Sequence, residues 1–271
     1  MYICVCTFDL VVLTGTVMSS HVDKHVNVKG VRTDPSPAFQ LRTAPKNTRW
    51  RFWHLWGGQN GYNARIVKQI IMDETASFSV TPASAADEIC RRLKHLRGIT
   101  SNSRITDATA CVGGNTVAFA REFYNVTAVE LDEDRVAMLR RNLQACAKGA
   151  RKFKHTPTVV AGDCTQVCPG FPQQDIIFID PPWGGETYAN QTQDTFSLSL
   201  SGIPLHRVCR SLFSSCDCKY VALKLPHNAD LSGLLDPDDG PRPTIHCATC
   251  VTQNMQQLVL SYPSIFIDIK K

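Results

Sequence analysis

The sequence predicts an α/β fold, a doubly wound and mostly parallel sheet behind a small N-terminal helical extension. Three observations predict it: strand and helix patterns alternate from residue 104 onward, a glycine-rich turn follows the first strand, and an acid closes each of four successive strands.

The elements follow in order. Residues 1–17 are apolar but contain Asp9, lack a basic leading region and are too short to span a bilayer. They read either as an untranslated extension ahead of Met18 or as a poorly formed signal peptide. Residues 19–49 are polar and rich in Pro, Thr and Lys/Arg, so residues 1–49 read as a flexible basic arm. Between Met18 and Trp56, seven basic residues (Lys24, Lys29, Arg32, Arg42, Lys46, Arg49, Arg51) face only Asp23 and Asp34. Such an arm suits a polyanionic partner or is simply solvated.

Residues 50–98 read as a helical extension packing on the main domain. Trp50, Phe52, Trp53 and Trp56 alternate there with Arg49, Arg51 and His54, a pattern that suits base stacking with phosphate contact, or a hydrophobic staple onto the core. Ile66, Val67, Ile70 and Ile71 have helical spacing. Phe78-Ser79-Val80-Thr81-Pro82 opens another helix, with Thr81 as N-cap, Pro82 in the first turn, Ile89, Leu93 and Leu96 inward, and Gly98 as the stop.

Residues 99–271 carry the sheet. Strands are expected at 105–110, 126–131, 158–161, 175–179 and 220–225, with helices at 115–122 and 134–147. Stretches 257–262 and 265–269 suit a further pair of strands, and 236–243 a surface loop.

The informative motif is Asp180-Pro181-Pro182-Trp183-Gly184-Gly185, directly after the apolar strand 175–179. Open α/β sheets bind ligands at the carboxyl ends of their strands, so Asp180 stands where a ligand is held. The prolines fix φ and donate no hydrogen bond, leaving carbonyls free as acceptors, and Trp183 offers a flat face. Acid, carbonyl and aromatic together suit a planar amine.

Upstream, the turn from Asp107 through Gly113, Gly114, Asn115 and Thr116 does not follow the dinucleotide pattern, and an acid there repels a pyrophosphate. It suits a cation, as in the sulfonium and ammonium of S-adenosylmethionine. Glu130, seventeen residues after Gly113, stands where ribose hydroxyls are bound, and Asp163 ends the third strand, where an adenine amine is met.

With 43% hydrophobic residues and a net charge of +5, the chain buries one substantial core. Its twelve cysteines are scattered through strands and helices, so reduced thiols in an intracellular protein are expected. Cys216-x-Cys218 and Cys247-x-x-Cys250 could together make four zinc ligands, but the first spacing is atypical and no other signal supports it, so no metal is expected. No later stretch reaches membrane length, so no membrane partner is expected.

Taken in order, Trp56, Phe78-Ser79-Val80-Thr81-Pro82, the Asp107 turn with Val112-Gly113-Gly114-Asn115-Thr116, Glu130, Gly162-Asp163, Pro181-Pro182-Trp183-Gly184-Gly185 and Leu225-Pro226-His227-Asn228-Ala229-Asp230 resemble the trimethylguanosine synthase family. These are cap-specific guanine-N2 methyltransferases within the class I S-adenosylmethionine-dependent enzymes, and the resemblance covers roughly residues 53–232. It implies a Rossmann-like, mostly parallel seven-stranded sheet and methyl transfer from S-adenosylmethionine to N2 of a 7-methylguanosine cap. Other acceptors consistent with the residues are an internal adenine or guanine of RNA or DNA, or a cap bound without turnover.

The resemblance also assigns roles. Thr81, Asp107, Gly113, Asn115, Thr116, Glu130 and Asp163 become cofactor contacts; Asp180, Pro181 and Trp183 become catalytic. Trp183, Lys224, His227, Asn228 and Trp56 become substrate contacts. The partner is then a capped RNA of small nuclear, small nucleolar or spliced-leader type, and the protein a monomer of nucleus, nucleolus or cytoplasm. Three places depart from the family: Asp180 where Ser is usual; His227 where an Arg phosphate ligand is usual, with Lys224 a substitute cation if it points inward; and the segment from Trp56 to Ile66, which matches only loosely.

Overall fold

The computed structural model describes residues 38–44, 46, 49–57, 62–183, 198–226, 229, 231, 234, 243–252 and 255–261, and of 245–261 the backbone alone. All of them fall in one unit, Pro35–Lys271. The N-terminal part runs β1 (Phe39–Gln40), α1 (Arg49–Trp56), α2 (Ala64–Val67), β2 (Ile71–Met72), α3 (Glu74–Ser79) and α4 (Ala83–Lys94). The sheet follows as β3 (Arg104–Asp107), α5 (Gly114–Glu122), β4 (Asn125–Glu130), α6 (Glu133–Ala147), β5 (Thr158–Ala161), α7 (Cys164–Val167) and β6 (Ile176–Ile179). A short hairpin, β7 (Ser199–Leu200) and β8 (Ile203–Pro204), then leads to α8 (Leu205–Ser215), β9 (Tyr220–Pro226), β10 (Thr244–Thr252) and β11 (Met255–Ser261).

The main sheet has seven strands among the described residues, in the order β10-β11-β9-β6-β3-β4-β5. The strands from β9 to β5 are mutually parallel, and β11 is antiparallel to both of its neighbours. Strand order reverses between β3 and β6, and this switch point places the ends of those two strands side by side.

Alternation along the strands sorts the core. Ile176 and Phe178 face a cluster with α4 and α5, while Ile177 and Ile179 face α7 and α8. On β9, Tyr220 and Ala222 face the first side and Val221, Leu223 and Leu225 the second. Helix α4 shares its cluster with β3 and β6, so it belongs to the helical layer on the sheet. Among the described residues no helix is long and apolar enough to cross a membrane.

Several elements differ from the sequence reading. The helix expected through Ile71 stops at Val67, because Ile71 pairs instead with Gln40 in a two-residue ladder. The buried Asn142 side chain fixes that departure, accepting from Ile71 N at 2.8 Å and donating to Ile71 O at 2.8 Å. Thr81 does not cap α4: the helix starts at Ala83 without a side-chain cap, because the Thr81 hydroxyl is turned to the sheet. The same helix ends at Lys94, before Gly98, whose φ of +74° serves a later turn.

The terminal antiparallel pair is β10 with β11, and 265–269 lies outside the described residues. Helices α3 and α8 and the β7–β8 hairpin were not foreseen. The described cysteines are free, and burial raises the pKa of Cys164, Cys209 and Cys218, keeping them as thiols. Among the described residues no group of three His, Cys, Asp or Glu is placed to hold a metal; the side chains of Cys247 and Cys250 are outside the description.

Candidate active site

Asp107 is the last residue of β3 and is fully buried, with 0% exposure. Its Oδ2 accepts from Thr116 Oγ1 at 2.6 Å, one turn into α5. Its Oδ1 has no hydrogen-bond partner among the described residues. Burial is the main cause of a pKa pushed up to about 7; the Thr116 hydroxyl opposes this and the Asp180 charge adds to it.

The turn between Asp107 and α5 is held on both sides. Ala108 N donates to Phe178 O and Ala110 N to Val129 O, each at 2.8 Å. Gly113 precedes α5 with φ +105°, a conformation glycine adopts freely. A Cβ there would lie 2.9 Å from Leu139, and one on Gly114 2.9 Å from Val80. The two glycines therefore let the turn seat against the protein's own side chains.

Glu130 closes β4, with Oε2 accepting from Cys111 N at 2.8 Å and Oε1 from Asp132 N at 3.0 Å. Its carboxylate thereby ties this strand end to the glycine-rich turn. Asp163 follows β5 and caps α7 through Thr165 N, at 2.9 Å. Burial would raise its pKa, but hydrogen bonds from Ser201 and Thr165 outweigh that and hold it below the usual carboxylate value.

Asp180 follows β6. Its Oδ2 accepts from Lys224 Nζ at 2.6 Å, Thr81 Oγ1 at 3.3 Å and Asn115 Nδ2 at 3.4 Å, while its backbone N donates to Thr109 Oγ1 at 2.7 Å. Asn115 Nδ2 also donates to Thr81 Oγ1 at 3.0 Å, and Asn115 Oδ1 is buried without a partner among the described residues. Burial raises the Asp180 pKa, and the Lys224 charge is the largest influence against it. Lys224 Nζ also lies 4.6 Å from the centre of the Trp183 ring. Pro181 is buried, and the half-buried Trp183 packs against both core clusters of the sheet.

Thr81, Asn115, Asp180, Trp183 and Lys224 thus form one contact network. Asp107 with Thr116, then Glu130, then Asp163 extend along the same sheet edge. His227 and Asn228 lie outside the described residues, as do Gly184 and Gly185.

Two assignments change. Trp56 is 2% exposed in the core, and its Nε1 donates to Met72 Sδ at 3.2 Å, so no base can stack on it. It lines a small cavity between α1, α4 and α5 with Tyr62, Thr81, Gly114 and Arg121; Thr81 also donates to Asp180. Lys224 does point inward, but at 3% exposure its ammonium is taken by Asp180 rather than offered to a phosphate.

Sequence reasoning missed Thr109, which fixes the Asp180 backbone, and Ser201, which donates to Asp163 at 2.6 Å. Thr109 stands two residues after Asp107, which was the available signal. Ser201 had none, because the left-handed turn at Ser201 and Gly202 brings it there through a hairpin.

The RNA cap guanine-N2 methyltransferase family profile matches residues 102–262. The chain is 32% identical over 175 residues to an uncharacterized protein of Acanthamoeba polyphaga mimivirus, covering 64% of this chain and 65% of that one. It is 28% identical over 185 residues to the trimethylguanosine synthase of Schizosaccharomyces pombe, covering 66% and 72%. With the trimethylguanosine synthase of Saccharomyces cerevisiae the figures are 23% over 203 residues, 73% and 61%. The chain therefore spans about two thirds of the length of these relatives.

Among solved structures, a tRNA methyltransferase of M. jannaschii aligns with TM-score 0.46 and 11% identity over 76% of this chain and 56% of that one. A conserved hypothetical protein of Streptococcus pyogenes gives 0.41 and 16%, over 62% and 92%. With the profile match running from the loop before β3 through β11, the chain belongs to the RNA cap guanine-N2 methyltransferase family.

Proposed function

We propose that this chain transfers a methyl group from S-adenosylmethionine to the exocyclic N2 of a 7-methylguanosine RNA cap, giving the 2,7-dimethyl or 2,2,7-trimethyl form. One observation carries the reading: in a chain of this family, an oriented carboxylate, Asp180, with 11% of its side chain exposed, stands beside Trp183 at the switch point of the sheet.

The neighbouring strand end fits the methyl donor. S-adenosylmethionine supplies a methyl carbon on a positively charged sulfur. Asp107 and Glu130 bring negative charge to that side, and the buried Oδ1 atoms of Asp107 and Asn115 remain as acceptors. Thr116 holds the Asp107 carboxylate in place, and Asp163 stands at the next strand end for the adenosine.

On the acceptor side, the guanine amine is a poor nucleophile because its lone pair is delocalised into the ring. Hydrogen bonds from N2 to Asp180 and to the Pro181 carbonyl orient that lone pair, and Asp180 takes the proton that N2 gives up as the new bond forms. Positioning of this kind is worth up to ~7–11 kcal/mol in well-oriented systems. A 7-methylated guanine is cationic, so its stacking on Trp183 gains about 1–2 kcal/mol over the neutral base.

The RNA beyond the cap is assigned to α1. This helix carries no acidic residue in its first turn and exposes Trp50 at 57% and Trp53 at 42%. The Arg51 guanidinium lies 3.7 Å from the centre of the Phe78 ring and 5.3 Å from that of Trp50. Phe78 is three residues from Thr81, so this surface begins within about 11 Å of the site.

The test is mass spectrometry of the products formed from a 7-methylguanosine cap analogue and, in parallel, from uncapped RNA and DNA. One or two methyl groups on N2 of the cap support the reading. Methylation of an internal adenine or guanine overturns it in favour of the acceptor class that an acid before two prolines also suits, which must be flipped or single-stranded. Cap binding without cofactor binding in calorimetry overturns it in favour of a binding module.

A further inference from the structure

We infer that Lys224 is a positioning residue for Asp180, holding one carboxylate oxygen and the Trp183 ring together so that the other carboxylate oxygen is presented to the acceptor amine. The inference rests on the methyl transfer proposed above.

Three donors converge on Oδ2 of Asp180: Lys224 Nζ, Thr81 Oγ1 and Asn115 Nδ2. No hydrogen bond to Oδ1 occurs among the described residues. A carboxylate gripped through one oxygen, with its backbone N fixed by Thr109, has little rotational freedom left. The Lys224 cation also lies over the Trp183 ring at 4.6 Å, so acid and aromatic are set by one side chain.

Sheet register builds the pair. Ile179 is the partner of Leu223 across β6 and β9, so Asp180 and Lys224 follow as neighbours at the same strand ends. Lys224 continues the Tyr220 and Ala222 side of β9, where its neighbours are apolar. Stability does not explain a lysine there: a buried ion pair can often be replaced by apolar residues at no loss, because desolvation offsets the attraction. Orientation of a reacting group does explain it.

The charged groups around Asp180 are Lys224 from β9 and Asp107 from β3, with Glu130 from β4 behind Asp107; Thr81 and Asn115 are uncharged. Burial lifts the Asp180 pKa and Lys224 is the main restraint on it. Without Lys224, the proton stays on Asp180 to higher pH.

The test compares the full chain with Lys224→Met, Asp180→Ser and the double variant. The substrates are a triphosphate-linked 7-methylguanosine cap analogue and 7-methylguanosine monophosphate. Lys224→Met is expected to lower kcat about 100-fold while KM for both substrates stays within about threefold, and to move the rising limb of the pH profile upward. In the Asp180→Ser background the same substitution is expected to cost far less, since only the placement of the Trp183 ring is left to lose. The double variant keeps the comparison readable if the unpaired aspartate of Lys224→Met unfolds the chain.

A rise in KM confined to the triphosphate substrate, with kcat kept, overturns the inference and makes Lys224 a phosphate ligand. So does an equal loss in the Asp180→Ser background. Carbon-13 detection of the Asp180 carboxyl gives a readout independent of turnover: its titration midpoint is expected to rise in Lys224→Met, and an unchanged midpoint overturns the inference. Wild-type chain that methylates no cap while this midpoint still rises would sink the proposed reaction and leave the positioning role standing.

Discussion

Asp107 ends β3 and Asp180 follows β6, on adjacent parallel strands; Asp107 is fully buried and the Asp180 side chain is 11% exposed, and their surroundings differ. Asp107 has a threonine hydroxyl and no cation within hydrogen-bonding reach among the described residues, and burial lifts its pKa to about 7. Asp180 has Lys224 against it at 2.6 Å. A buried carboxylate without a counter-charge binds a proton or waits for a cation to arrive; one with an internal lysine has a cation opposing the effect of burial and its direction fixed. In the proposed reaction, the β3 end would receive positive charge and the β6 end would act on a neutral amine.

The sharpest way to break this contrast is to delete the acid on each side. Asp180→Ala is expected to lower methyl transfer to a 7-methylguanosine cap analogue by about 10²–10⁴-fold, the range for a lost proton acceptor, with S-adenosylmethionine binding in calorimetry unchanged. Trp183→Ala is expected to behave alike. If either variant lost cofactor affinity in step with turnover, the two strand ends would not be separate halves.

Asp107→Asn is expected to do the reverse, weakening S-adenosylmethionine by about 10–100-fold, the size of a lost charge-assisted hydrogen bond, with kcat at saturation kept. Cofactor affinity in the wild type should fall as pH drops below about 7, where Asp107 takes up its proton. Stability runs the other way. The folded pKa is raised from 3.8 to about 7, so the folded chain holds this proton more tightly than the unfolded one. The contribution is fully present below pH 3.8 and is lost as pH rises through about 7, by at most about 4 kcal/mol. Urea unfolding of the apo protein should therefore show Asp107→Asn gaining on the wild type between pH 5 and pH 8, and no gain would mean that Asp107 is already ionised.

Smaller effects sharpen the acceptor half. A cap analogue lacking the 7-methyl group should turn over about tenfold less efficiently, in line with the lost cation stacking on Trp183, and equal kcat/KM would remove that role. Trp50→Ala with Trp53→Ala should weaken capped RNA several-fold while leaving a cap analogue unaffected, since stacking on an exposed aromatic is worth about 1–3 kcal/mol per base. A loss on both substrates would place α1 at the cap itself.

Strands β3, β4, β5, β6 and β9 and helices α5 and α6 were legible in the sequence because their apolar patterns are local. The segments that failed were short or partner-dependent. Ile71 has helical neighbours in sequence but is claimed by Asn142, seventy-one residues away. Trp56 belongs to an aromatic-basic run that reads as one surface; helix α1 divides it, sending Phe52, Leu55 and Trp56 inward and Trp50 and Trp53 outward. No count of residue types could have made that division without the face on which the helix docks.

The sequence by itself determined the doubly wound fold, the acids at successive strand ends and the family, because strand, turn and motif are all written within a few consecutive residues. The tertiary structure alone decided that Lys224 serves Asp180, that Thr81 turns from helix cap to carboxylate donor, and that Asp107 stands without a counter-charge. Those outcomes depend on which strand ends lie side by side and on how much water is excluded between them. They join positions as far apart as Thr81 and Asp180, ninety-nine residues, and register and burial settle them rather than local chemistry.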